Sequence, residues 1–247
     1  MPSSLSDQLI ENARAVRQQI VDACRGAGRP TNEVKLVAVT KYVDTPTAVT
    51  LAESLRVVLG PDTTVILGEN RPQVLQQRWE GWPADIPVEW HLIGQLQTNK
   101  IKTIIGRTAL IHSLDRFDLL DKLQLQALKH DLTVCGLLEF RLSDDPEKHG
   151  FLASDIPELL DRWPSWSRLQ FRGVMGMSGL ESSTQLARQQ FDSLREIHER
   201  IKRQLPPEHR QRWGELSMGM SGDLAPAIAA GATLVRIGSA LFRGLLS

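Results

Sequence analysis

The chain has 247 residues, of which 41% are hydrophobic and 23% are charged, the balance of an ordinary globular protein. Its 29 lysines and arginines equal its 29 aspartates and glutamates in number, so the formal net charge is zero. A protein that binds nucleic acid through its overall charge is usually basic. The composition therefore predicts no nucleic-acid partner.

The two cysteines, Cys24 and Cys135, cannot form a disulfide framework or a CxxC pair. No apolar run approaches the ~20 residues that span a bilayer. The first residues, Met-Pro-Ser-Ser-Leu-Ser-Asp, lack the basic and apolar regions of a secretory signal. We therefore expect a cytoplasmic protein with reduced cysteines and no membrane partner.

Eight short β-branched or apolar runs alternate with segments of helical periodicity, and an amphipathic segment at 5–25 precedes the first run. The predicted strands are residues 34–39, 64–67, 88–93, 109–113, 134–140, 171–175, 215–218 and 234–237. The clearest helical segments between them are 46–59, 71–79, 117–129 and 184–205.

Alternation of strands and helices predicts a parallel sheet, and eight units in this length match a closed (β/α)8 barrel, the TIM barrel. An open doubly wound sheet is the alternative, but it usually carries a GxGxxG turn after its first strand, and this sequence has none. No Pro/Gly/Ser-rich linker divides the chain. We predict one α/β domain over residues 1–247, a single TIM barrel whose extra N-terminal helix covers the barrel where the eighth helix is short.

Residues 215–239 contain two strand-to-helix turns in succession, both rich in glycine and serine. Free backbone N–H groups and hydroxyls at such turns bind phosphate, and the loops after strands seven and eight of TIM barrels often do so. The pentads at 175–179 and 218–222 are identical. Their identity is either coincidence or the mark of two similar turns on one rim.

Two cations stand near these turns. Lys41 directly follows the apolar strand 36–39, so its ammonium group is expected at the barrel mouth, where a lysine is a candidate Schiff-base nucleophile. Position alone leaves a solvated lysine as the alternative. Arg236 lies on strand eight, where a charge is costly unless paired. It is either functional or ion-paired with a carboxylate inside the barrel.

His91 and His112 lie on neighbouring strands, and no HExxH, HxH or carboxylate spacing accompanies them. We therefore predict satisfied polar core residues and no metal site. The Gly-Met-Ser-Gly segments resemble the GxSxG turn of serine hydrolases, but Leu180 and Asp223 replace its last glycine. The sequence predicts no catalytic serine.

Four blocks occur in a characteristic order: Leu-Val-Ala-Val-Thr-Lys at 36–41, Gly-Glu-Asn at 68–70, Trp-His-Leu-Ile-Gly-Gln-Leu-Gln-Thr-Asn-Lys at 90–100, and Leu-Ser-Met-Gly-Met-Ser through Val-Arg-Ile-Gly at 216–238. In these blocks the chain resembles the YggS/PROSC family of pyridoxal 5′-phosphate (PLP) homeostasis proteins. The stretch 148–151 fits that family's loop after strand five. The resemblance implies a barrel like the N-terminal domain of alanine racemase, with PLP held as an internal aldimine.

Carried over position by position, the resemblance implies six cofactor-binding residues. They are Lys41 for the Schiff base, Ser217, Gly238 and Ser239 for the phosphate, Arg236 for the pyridine nitrogen and Asn70 for the pocket wall. The chain departs from the usual family pattern at Glu139-Phe140-Arg141, at 175–179 and at Phe242-Arg243. The pocket wall opposite the phosphate is therefore expected to differ from that of the usual family member.

An arginine beside the pyridine nitrogen stays protonated and leaves that nitrogen unprotonated, which weakens the ring as an electron sink and disfavours transamination. A two-base racemase needs groups on opposite faces of the substrate carbon. Tyr42, the only tyrosine, adjoins Lys41 and is expected to point away from it. We also expect no counterpart of the domain that supplies the second base in the resembled racemases.

We therefore predict a monomeric PLP carrier or regulator of PLP and amino-acid homeostasis, without appreciable turnover, whose recipients are apo PLP-dependent enzymes. A weak PLP-dependent amino-acid racemase is the alternative. A barrel enzyme that binds another phosphorylated substrate without PLP comes third.

Overall fold

A computed structural model describes residues 4–143, 149–179 and 183–245. Eight parallel strands close into a barrel in which each strand pairs with the next and β8 pairs with β1. The strands are β1 (Lys35–Val39), β2 (Val65–Glu69), β3 (Val88–Leu92), β4 (Leu110–Leu114), β5 (Val134–Glu139), β6 (Leu169–Met175), β7 (Glu215–Ser217) and β8 (Leu234–Ile237). The predicted TIM barrel is confirmed, and the strand ends differ from the predicted ones by at most two residues.

The predicted helices are present as α1, α2, α3, α5 and α7, and shorter helices lie between them. The helices of the described residues are α1 (Leu5–Gly26), α2 (Thr45–Leu59), α3 (Pro72–Glu80), α4 (Ile101–Ile104), α5 (Phe117–Lys129), α6 (Ile156–Arg162), α7 (Thr184–Gln204), α8 (Pro207–Arg210) and α9 (Leu224–Ala229). Within this part of the chain, no helix combines the length and the apolar character needed to cross a membrane. Of the stretch 148–151, which fits the family's loop after strand five, the structure describes only residues 149–151, because Lys148 lies outside the described residues.

The N-terminal helix α1 packs against α2, α9 and the short 3-10 turn Ser239–Phe242. Its buried residues recur at helical spacing and form one apolar face. Asn12 within that face donates to the carbonyls of Leu241 and Arg243 at 3.1 and 3.0 Å. Because only this turn follows β8 among the described residues, α1 covers the barrel where the eighth helix is short, as predicted.

The main apolar core lies between the strands and the helices. Inside the barrel a smaller apolar cluster shares the space with buried polar side chains, including His112, Ser217 and Arg236. Burying a polar group costs free energy unless it is hydrogen-bonded. The polar part of the barrel interior is therefore where a functional site is expected.

Candidate functional site

Polar side chains from three strands meet inside the barrel. Arg236 on β8 donates from Nη1 to the Ser217 hydroxyl on β7 at 2.7 Å, and from Nη2 to the Gly176 carbonyl after β6 at 3.3 Å. The same hydroxyl lies 2.8 Å from Nδ1 of His112 on β4. Because β4 and β7 are not neighbours in the barrel, these contacts cross its interior. The contact between His112 and Ser217 was not predicted from the sequence.

Arg236 is buried, and its direct partners are a hydroxyl and a carbonyl. Burial lowers its pKa to about 10, while Glu139 and Asp223 act in the opposite direction. A guanidinium with this pKa is still charged at neutral pH. The barrel interior therefore holds a positive charge whose nearest hydrogen-bond partners are uncharged.

Glu139 at the end of β5 is also buried. Burial, and then the charge of Asp115, raise its pKa to about 8, whereas Arg236 lowers it. The carboxyl group is therefore mostly neutral at pH 7. Glu139 belongs to the segment Glu139-Phe140-Arg141, and it puts a neutral acid near the Arg236 charge.

We expect Glu139 to make the unfolding free energy fall as the pH rises. Its folded pKa of about 8 lies above the ordinary value of 4.5, so its contribution is fully present below pH 4.5 and is lost as the pH rises through 8. Glu139→Gln cannot ionise and should remove this loss, which is at least about 2 kcal/mol of differential stability between pH 5 and pH 8. Denaturant unfolding of both proteins at the two pH values measures it. Parallel declines in the two proteins would contradict the assignment.

The two identical pentads form adjoining turns on one rim. Ser178 in the first donates to the carboxylate of Asp223, which follows the second, at 2.6 Å. The other oxygen of Asp223 accepts from the Met220 backbone at 2.5 Å. Gly219 has a φ of +91°, and a Cβ there would lie 2.5 Å from Cβ of Ala227. The repeat is therefore two neighbouring turns, the second of which requires glycine.

Lys41 lies in an exposed turn directly after β1. Its Nζ is 4.8 Å from the centroid of the Tyr42 ring, so the prediction that the two side chains point to opposite sides is wrong. The alternation of a strand does not apply, because the strand ends at Val39 and a turn follows. A Cβ on Gly238 would lie 3.4 Å from both Tyr42 Cε2 and Val39 Cβ. The Lys41 turn therefore packs against the start of the turn after β8.

A buried ion pair holds the turn that carries Lys41. Arg78 of α3 donates from Nε to Glu69 at 3.1 Å, and from Nη2 to the carbonyls of Thr40 and Val43 at 3.0 and 2.5 Å. The Thr40 hydroxyl donates to the same Glu69 oxygen at 2.5 Å. Arg78 was not predicted from the sequence, although a charged residue on the buried face of a helix is a signal that could have revealed it.

The remaining predicted site residues also lie at the carboxyl ends of strands. Asn70 follows β2 and is half-buried. It lies against Gly94 after β3, where a Cβ atom would be only 2.2 Å from the Asn70 carbonyl oxygen. Gly238 is buried and Ser239 is exposed. The first N–H groups of the turn that begins at Ser239 have no acceptor within it. All six predicted residues thus lie around one end of the barrel.

His91 and His112 are hydrogen-bonded to each other, with 2.9 Å between His91 Nδ1 and His112 Nε2. Burial lowers the pKa of His91, and burial together with the proximity of His91 and Arg236 lowers the pKa of His112 well below its ordinary value. Both rings are therefore neutral at pH 7. The prediction that they are satisfied polar core residues is confirmed.

A cavity of about 1050 Å³ lies at the opposite end of the barrel, where the strands begin. None of the six predicted residues lines it. Its polar lining includes Lys35, Glu89, His91, Cys135, Arg172 and Glu215. We place the site at the carboxyl ends nevertheless, because the buried arginine and the glycine-rich turns meet there.

Residues 7–245 match the family model described as alanine racemase, N-terminal domain. The chain belongs to this family. A pyridoxal phosphate homeostasis protein of Aquifex aeolicus is 34% identical over 232 residues, which cover 94% of this chain and 96% of that protein. The protein of the same name from Deinococcus radiodurans is 37% identical over 234 residues, which cover 92% and 98%.

Among solved structures, PipY of Synechococcus elongatus with PLP bound matches with a TM-score of 0.80 and 26% identity. The match covers 95% of this chain and 99% of PipY. The resemblance to the PLP homeostasis proteins, drawn from four sequence blocks, is therefore confirmed over nearly the whole chain.

Proposed function

We propose that this protein binds PLP and carries or regulates it, and so maintains intracellular PLP and amino-acid homeostasis. The observation that carries the proposal is the buried, charged Arg236, hydrogen-bonded to Ser217 near two glycine-rich turns and on the same end of the barrel as the Lys41 amine. The names of the related proteins and the PLP-bound PipY structure support it.

The residues present suit PLP. When bound, PLP supplies an aldehyde that a lysine amine captures and a ring that withdraws electrons from an attached carbon. The Gly238 backbone lies so close to Val39 and Tyr42 that a side chain there would fill the space between them. In the proposal Lys41 provides the amine, Arg236 faces the ring nitrogen, Asn70 lines the pocket, and the Ser217 hydroxyl with the N–H groups of Gly238 and Ser239 holds the phosphate.

We further propose that the protein acts without appreciable turnover. A charged Arg236 keeps a neighbouring ring nitrogen unprotonated, which weakens the ring as an electron sink. Tyr42 lies beside Lys41 and not opposite it, so it is poorly placed to be a second base.

In this proposal one domain over residues 1–247 works as a cytoplasmic monomer and supplies apo PLP-dependent enzymes. The free thiols of Cys24 and Cys135 are compatible with a reducing compartment.

Incubation of the PLP-loaded protein with L-alanine and other amino acids should therefore give neither racemisation nor transamination at a metabolically useful rate. Chiral chromatography of the amino acids and an assay of the keto acids measure the two reactions. Lys41→Ala is the matched control for contaminating enzymes. Sustained turnover that Lys41→Ala abolishes would contradict the carrier proposal and favour a weak racemase.

A further inference from the structure

A row of side chains runs along the inside of the barrel from the proposed cofactor site to the opposite end. Ser217 Oγ lies 2.8 Å from His112 Nδ1, and His112 Nε2 lies 2.9 Å from His91 Nδ1. His91 Nε2 is 3.8 Å from the Glu89 carboxylate, whose side chain is 51% exposed. Glu89 and His91 both line the cavity at the amino-terminal ends of the strands. The row thus joins a buried hydroxyl to an open carboxylate.

Both imidazoles in the row are neutral, because burial lowers their pKa values. A neutral imidazole carries a single N–H, so each ring donates at one nitrogen and accepts at the other. The proton position on one ring therefore fixes the position on the next. The charged groups that act on the two rings are Glu89, Glu215, Lys35 and Arg236.

Two arrangements of the protons, or proton orders, satisfy the hydrogen bonds along the row. In the forward order the Ser217 hydroxyl donates to His112, His112 Nε2–H donates to His91, and His91 Nε2–H faces the Glu89 carboxylate. In the reverse order His91 Nδ1–H donates to His112, and His112 Nδ1–H donates to Ser217. The bare His91 nitrogen then faces the carboxylate, and two acceptors in proximity repel each other. The forward order is favoured while no anion occupies the cofactor site.

The order decides what Ser217 can offer a phosphate. Arg236 has only donors, so the Ser217 oxygen already accepts one hydrogen bond from it. In the forward order the single hydroxyl proton goes to His112 and none is left for a phosphate oxygen. In the reverse order Ser217 accepts from both Arg236 and His112, and its proton points to the phosphate.

We propose that His112 is a positioning residue of the cofactor site, and that a phosphate group bound next to Ser217 reverses the proton order from Ser217 to His91. This inference rests on the proposed function, because it needs a phosphate within reach of Ser217. Through this row the cofactor site is coupled to Glu89, at the other end of the barrel.

The reversal conserves protons. In one concerted shift Ser217 passes its proton to His112 Nδ1, His112 passes its Nε2 proton to His91 Nδ1, and His91 releases its Nε2 proton to water in the cavity. Ser217 takes up a proton from water or phosphate in the cofactor site. Each side chain ends with as many protons as it began with, and one proton enters at one end of the barrel for each that leaves at the other.

Nitrogen-15 NMR of the full chain, labelled at its histidine rings, reads the tautomers directly. Samples are the free protein, the protein saturated with inorganic phosphate and the protein saturated with PLP, with PLP binding measured by absorbance after dialysis. We expect His91 and His112 to carry Nε2–H in the free protein and Nδ1–H in both loaded forms. His198, which is buried outside the row and paired with Glu199, is the internal control and should not change.

The outcomes separate the two proposals. If PLP binds and the two rings keep one tautomer throughout, the proposed reversal of the proton order is overturned and the proposed function stands. If neither PLP nor phosphate binds, both fail.

A variant of Glu89, at the other end of the row, tests the coupling through the phosphate affinity. A purely structural role of the row would leave that affinity unchanged. The amide of Glu89→Gln can donate to or accept from His91, so the repulsion in the reverse order disappears. The affinity of the apo-protein for inorganic phosphate should rise by at least about fivefold, the low end of ordinary coupling between sites. Glu33→Gln, which removes an exposed carboxylate preceding β1, should leave the phosphate affinity unchanged. Unaltered or weaker phosphate binding by Glu89→Gln would overturn the proposal.

Discussion

Lys41→Ala should yield a colourless protein that no longer develops the absorption band of a lysine-bound cofactor when PLP is added. Lys41 lies in a turn that Arg78 and Glu69 hold through buried hydrogen bonds, so the backbone that carries its side chain is fixed. Loss of the covalent link should weaken PLP retention by at least about 100-fold, or ~2.7 kcal/mol. Equilibrium dialysis and absorbance titration of the apo-protein measure both effects.

The matched control is Lys102→Ala, which removes an exposed lysine from α4. It should keep the band and the affinity of the wild type. A Lys41→Ala protein that stays yellow and retains PLP after dialysis would show that the cofactor is held through another amine.

Ser239→Asp should weaken PLP binding far more than Arg236→Gln. The new carboxylate would stand beside the dianionic phosphate, and two like charges 4 Å apart repel by about 4 kcal/mol at an effective dielectric constant of 20. Because Ser239 is exposed, screening reduces this to about 2 kcal/mol, or ~30-fold in affinity. Ser239→Asn has nearly the same shape without the charge and should bind nearly as the wild type does.

Arg236→Gln should leave phosphate anchoring largely intact and change the electronics of the ring. We therefore expect its main effect in the position of the absorption band, with a smaller effect on affinity. Titration of the three apo-variants beside wild type, with full spectra at each point, compares the effects. Equal affinity losses in Ser239→Asp and Arg236→Gln with unchanged spectra would show that Arg236 is structural and that the phosphate lies elsewhere.

The barrel was predictable because its strands are short runs of three to seven residues that alternate with helical segments. The end of β2 was among the least accurate, because the strand continues through Gly68 and Glu69. Neither residue favours a strand locally, but both are held by pairing with His91 and Leu92 of β3. Pairing with a neighbour overrides local preference, and the sequence of one strand does not contain that information.

The positions of the candidate site residues at strand ends were predictable from the sequence, but their contacts were not. Ser217 and His112 are 105 positions apart, and only closure of the barrel brings them together. Arg78 likewise reaches back to Thr40 and Val43 across two elements. The prediction that Tyr42 points away from Lys41 was wrong for a local reason. It assumed the side-chain alternation of a strand for residues that lie in a turn.

We propose that PLP is held covalently on Lys41, at the carboxyl end of this barrel. Borohydride reduction of the PLP-loaded protein, followed by proteolysis and mass spectrometry of the peptides, tests it most directly. We expect one phosphopyridoxyl adduct, on the peptide that contains Lys41, and none on that peptide in Lys41→Ala. An adduct on Lys100 or Lys102 in the wild type, with Lys41 unmodified, would contradict it.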